Sequence, residues 1–151
     1  MAILFAFTTL LIAAWAGPSL LTLSPTTYPI TAVAHFVAFL ASVALFILMG
    51  RVLKKKDRPR LKAGLGVGAV AAVIGTTIAQ IIQHLPYAQK AFMAQLPGVP
   101  PQAAVTMLHL HALTGAVLSA IISAVLFGAL GAIATWWGGL WRVSLEAPSK
   151  Y

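Results

Sequence analysis

The chain has 151 residues, 60% of them hydrophobic and 8% charged, with a formal net charge of +8. A water-soluble domain carries about 25% charged residues to cover its surface, so a chain this apolar and this short uses lipid as its solvent. It contains no cysteine, which excludes disulfide frameworks, thiolate metal sites, iron–sulfur clusters and thiol redox chemistry.

The first apolar run covers residues 2–23. Its "AWAG" at 14–17 has the small residues of a signal-peptide cleavage site, but no basic residue follows Met1 and the apolar core is long. It reads as a retained span, bent at Gly17–Pro18. "SPTTYP" connects it to a second run over residues 30–50. Next comes "RVLKKKDRPRLK", which holds seven of the ten basic residues: Arg51, Lys54, Lys55, Lys56, Arg58, Arg60 and Lys62. A third run follows over 63–84, and its "GLGVG" at 64–68 has the G-x-x-x-G spacing of close helix packing rather than a phosphate loop. "PYAQKAFMAQLPGVPPQA" comes after it. Within that stretch "YAQKAFMAQL" predicts a short helix on the membrane interface, stopped by Pro97. The fourth run spans 104–127, with an apolar extension to 141.

Each run has the ~20 residues a helix needs to cross the hydrocarbon layer, and none alternates like a barrel strand. The expectation is an all-α polytopic membrane protein: one domain over 1–151 with four transmembrane helices. The positive-inside rule places the basic loop and both termini in the cytoplasm of a cell (inner) membrane. Trp136, Trp137 and Trp141 then mark the inner interface, and Trp15, Tyr28 and Tyr87 the outer one. From Ala104 to Trp141 a continuous helix would be ~57 Å long against a hydrocarbon layer of ~30 Å. It must break near Gly128–Gly131 or Gly138–Gly139, or pack against another protein. Self-association or partner membrane subunits through this last helix are therefore expected, with lipids around the rest.

The only acids, Asp57 and Glu146, fall outside the spans, so no carboxylate stands at membrane depth for a proton-coupled carrier. The four histidines all fall in the outer half: His35 in span two, His84 at the end of span three, and His109 and His111 in "MLHLH" at the start of span four. Small or polar rows accompany them. These are Thr31, His35, Ala38 and Ser42 on span two; Gly68, Ala72, Thr76 and Gln80 on span three; His111, Gly115, Ser119 and Ser123 on span four. Such rows allow close helix approach and suggest a pocket in the outer half of the membrane.

The sharpest occupant is one b-type haem, held by His35 and His111 from facing helices. His109 replaces His111 if the helix is rotated, and His84 lies nearby. Propionates would find only Lys90, His84, Gln83 and Tyr87, and no arginine. A copper or zinc site is a second option, with His109, His111 and Met107 as ligands and His84, His35 or Met93 as further candidates. Quinone binding is compatible too, although no residue pattern identifies it. The plain alternative is that each histidine is interfacial or bonds a neighbouring carbonyl, in a contact of ~0.6 kcal/mol.

Two functions follow from this reading. One is a small subunit of a larger membrane complex, carrying a haem for electron transfer and not itself catalytic. The other is a cofactor-free structural or assembly subunit. A metal-binding protein or small-solute permease ranks below both, and nucleic acid is not an expected partner.

Overall fold

The computed structural model describes residues 2–55, 59–100, 102–103, 106 and 114–140. These residues form helix α1 (Ala2–Ala16), α2 (Thr31–Lys55), α3 (Arg60–Gln83), α4 (Pro86–Ala94) and α5 (Thr114–Gly138). Among the described residues, four helical segments are long and apolar enough to cross a membrane: Ala2–Leu23, Tyr28–Lys54, Arg60–Gln83 and Gly115–Gly138. The all-helical, four-span expectation holds at this level.

The first span changes its winding where the sequence predicts a bend. Pro18 has no N–H to give and its ring crowds the carbonyl four residues back, so α1 stops at Ala16. The chain continues as a 3-10 helix over Gly17–Leu23. At 15 residues α1 alone is about 22 Å long. The seven-residue 3-10 segment rises faster per residue and adds about 14 Å, enough to complete a crossing. Short connections also follow the sequence. Pro86 starts α4, Gln95 ends it, and Gly98 turns the chain at φ +89. The short helix expected over 87–96 is present as α4, over Pro86–Ala94.

The packing order around the bundle is α1, α3, α5, α2, with α3 against α5 the largest interface and α2 and α3 nearly diagonal. Glycine sets the close contacts. A Cβ on Gly64 would overlap the Gly131 carbonyl and come within 2.6 Å of the Thr135 hydroxyl; one on Gly68 would overlap the Phe127 carbonyl. Gly131 reciprocates against the Gly64 carbonyl, fixing α3 and α5 antiparallel. Gly50 on α2 meets the Thr135 carbonyl, and Gly138 meets that of Ile47. These two helices run the same way. Gly66, between the two packing glycines of "GLGVG", has nothing within 4 Å and faces outward. Helix α5 passes unbroken through Gly128–Gly131 and ends at Gly138, the second of the two predicted stops.

Burial is uneven along the bundle. On α2 it begins at Ser42 and includes Phe46, Met49 and Leu53; on α5 it begins at Phe127; on α3 it ends at Thr76. The half near the basic loop is closed, while the opposite half splays open between α3 and α5. Phe127 marks the boundary, with the rings of Trp15 at 4.2 Å, Phe39 at 6.3 Å and Phe46 at 6.5 Å. Trp15 leans on Gly75 and donates its indole N–H to the Thr76 hydroxyl at 3.1 Å.

Gly64→Leu or Gly131→Leu is expected to lower the thermal midpoint in detergent, because either forces two backbones apart at an overpacking penalty of at least about 1–3 kcal/mol. Gly66→Leu is expected to leave the midpoint unchanged, since it faces open space. Circular-dichroism melting of the three variants checks both outcomes.

Candidate functional site

Past Thr76 the α3 residues that faced its neighbours lose their cover. Thr77, Gln80, Ile81, His84 and Leu85 form one wall of a groove of about 620 Å³, and Ala116, Val117 and Ala120 of α5 form the other. That volume lies within the ~300–1,000 Å³ typical of small-molecule sites. The walls are mainly aliphatic. The Thr77 hydroxyl is already committed to the Val73 carbonyl at 2.8 Å. Among the described residues, Gln80 and His84 are the other lining side chains with a polar group on offer to an occupant.

The His84 ring has a defined tautomer. Its Nδ1 lies 2.7 Å from the Gln80 carbonyl oxygen, which can only accept, so Nδ1 carries the proton. In the neutral imidazole the lone pair is then on Nε2. His35 repeats the arrangement, with Nδ1 at 2.9 Å from the Thr31 carbonyl. Metal-bound histidines use the same device, one ring nitrogen anchored to a carbonyl and the other ligating. It also suits any ligand with a donor for Nε2. His84 is exposed and His35 half-buried.

The two rings stand at different depths. Tyr28 and Gln83 line one small pocket of about 160 Å³ with Thr22, Ala88 and Phe92, so they share a level at the rim away from the basic loop. His35 lies seven residues further along α2 than Tyr28, about 10 Å deeper. The close contacts of Gly50 with Thr135 and of Gly138 with Ile47 bracket the register, placing His35 between the levels of Ala120 and Leu126, at or beyond the deep end of the groove. His35 continues the buried stripe of Ser42, Phe46 and Met49 but does not line the groove that holds His84.

His109, His111 and Met107 lie outside the described residues, as does any His35–His111 pairing. Among the described residues no three His, Cys, Asp or Glu side chains group closely enough to hold a metal ion. Lys90 and Tyr87, the expected propionate partners, are exposed on α4.

The predicted small-residue rows fare differently. Gly68, Ala72 and Thr76 are buried as expected, and Gln80 continues their line into the groove. On α5, Gly115, Ser119 and Ser123 are only half-buried, and the Ser119 hydroxyl bonds the Ala116 carbonyl of its own helix at 2.9 Å. Ala116, Val117 and Ala120, a few positions round the helix, line the groove instead. These residues carry no chemical signal. They can be found only by counting back from Phe127, Gly131 and Gly138, the packed stripe of α5.

The architecture is all-helical, and among the described residues four helices have the length and apolar composition of membrane spans. Compared with protein-family models, curated proteins and solved structures, the chain finds no match.

Ala120→Leu is expected to keep wild-type stability because its side chain enters the groove. Ala72→Leu, at a fully buried position, is expected to destabilise by about 1–3 kcal/mol through overpacking. Thermal melting of the pair in detergent checks whether the groove has room.

Proposed function

We propose that this protein is a small subunit of a membrane complex, binding one b-type haem in the open half of its bundle for electron transfer. The observation that carries the reading is the groove between α3 and α5, with His84 on its wall and Nε2 as its unprotonated ring nitrogen. Aliphatic walls suit the macrocycle, and alanines on α5 leave room beside it. A second imidazole would come from His111 or His109 of "MLHLH", which closely precedes α5 in the sequence. His35 stays a candidate ligand only for a haem seated deeper, beside α2. In this role the protein chain would supply binding, orientation and a dry surround, and the haem the redox chemistry.

We place the protein in the cell (inner) membrane, with the basic loop and both termini cytoplasmic and the groove in the outer leaflet. Partner subunits would pack along the uncovered aliphatic face of α5, where Val117, Leu118, Ile121, Val125 and Leu126 stand exposed. That same face supports a second reading, a cofactor-free assembly subunit joining neighbouring helices and lipids.

Purified full-length protein is expected to show a Soret band that shifts on reduction. The band should be lost in His84→Ala and in one of His109→Ala and His111→Ala, whichever ring supplies the second ligand. A featureless spectrum after expression with added haem precursor eliminates the haem and leaves the assembly reading, which native mass in mild detergent then tests. Cysteines introduced singly at Lys56 and Lys90 should react with an impermeant maleimide from the cytoplasmic and outer sides respectively; the reverse pattern inverts the topology.

A further inference from the structure

At the closed end of the bundle, the start of α3 meets the end of α5. The Arg60 side chain lies across Gly139, where a Cβ would overlap its Nη1 and stand 2.7 Å from its Cδ. Gly50 of α2 approaches the same place, since a Cβ there would be 3.1 Å from the Gly139 nitrogen. Three helices thus leave a bare-backbone notch with a guanidinium laid into it. Among the described residues Nη1 of Arg60 is buried and without an acceptor, and so is the hydroxyl of the fully buried Thr135, one turn before Gly139 on α5. These donors share one deficiency. Each needs an acceptor oxygen.

The surroundings point to an anionic one. Pro59 gives α3 no side-chain cap, and the first backbone bond into its opening turn runs from Ala63 N–H to the Pro59 carbonyl. The N–H groups of Arg60, Leu61 and Lys62 precede it, at the positive end of a 24-residue helix. Lys54 and Lys62 are exposed at the same end, and residues 51–62 carry seven basic residues against one acid. Depth decides the source of the anion. Trp136 and Trp137, half-exposed in the turn before Gly139, are of the type that sits at headgroup level.

We propose that this three-helix junction binds the phosphate of an anionic phospholipid, with Arg60 as principal donor and the glycine floor making room for its planar fork. A guanidinium can hold a phosphate through two parallel hydrogen bonds, which a lysine cannot reproduce. The site is independent of the groove at the other end of the bundle.

The test is native mass spectrometry of the full-length protein released from micelles holding equal phosphatidylglycerol and phosphatidylcholine. Wild type is expected to retain phosphatidylglycerol about fivefold over phosphatidylcholine, the factor corresponding to one basic residue's attraction to an anionic surface. Arg60→Gln should erase the preference, and the Lys54→Gln/Lys62→Gln double variant should keep most of it. Gly139→Ala, whose Cβ displaces the guanidinium, and Arg60→Lys should each reduce it, covering the case in which Arg60→Gln fails to fold. Equal retention of the two lipids overturns the proposal. So does a preference lost with the lysine pair but kept in the Arg60 and Gly139 variants, or displacement of the lipid by millimolar inorganic phosphate.

Discussion

Backbone against backbone, with glycine removing the side chains between, is the contact on which this bundle rests. Gly64 and Gly68 of α3 lie on the main chain of α5 at Gly131 and Phe127, and Gly50 of α2 lies on it at Thr135. In lipid, burying apolar surface gives no advantage between helices, because the acyl chains are as apolar as leucine. Dispersion between closely packed atoms must do that work, and it is strongest where surfaces approach without gaps. The closed half of the protein is where such approaches are possible. The other half lacks them on α3 and α5 and opens.

That asymmetry organises the chemistry. Phe127 closes the packed core, and beyond it the wall-facing residues on α5 shrink to Ala120 and Ala116 while those on α3 become polar at Gln80 and His84. Small residues pulled helices together at one end of the molecule and left room at the other. The difference lies in the partner. Glycine meeting a carbonyl brings two backbones into contact, whereas alanine across from glutamine and histidine leaves space that neither side chain fills. The anchored Nδ1 of His84 then leaves Nε2 as the ring nitrogen open to an occupant of a groove with mainly aliphatic walls.

Much of this was legible in the amino-acid order. Hydropathy alone indicated four apolar helices, and Pro18 the change of winding in the first. The fourth candidate span among the described residues is Gly115–Gly138, later than 104–127, and α4 ends at Ala94, ahead of Pro97. The spacing of Gly64 and Gly68 identified the packing face of α3, and Gly66 shows why spacing matters more than residue type. The groove was not legible in the same way. Its α5 wall consists of Ala116, Val117 and Ala120, which resemble any other stretch of membrane helix. The more polar Gly115, Ser119 and Ser123 drew the eye to the wrong side. Their hydroxyl chemistry is absorbed locally, as the Ser119 bond to its own helix illustrates. Where helices diverge depends on the tertiary contacts at the far end of each, and no local pattern records it. The Arg60 notch was hidden likewise, since a basic loop predicts orientation but not which of its residues turns inward.

In the membrane placement proposed above, the aliphatic walls of the groove have a consequence for traffic. A site walled by two membrane helices is filled by molecules already dissolved in the bilayer. Its occupancy therefore follows how strongly a compound partitions into the acyl region and how fast it travels in two dimensions. A weak binder that concentrates in the membrane can outcompete a stronger one that stays in solution.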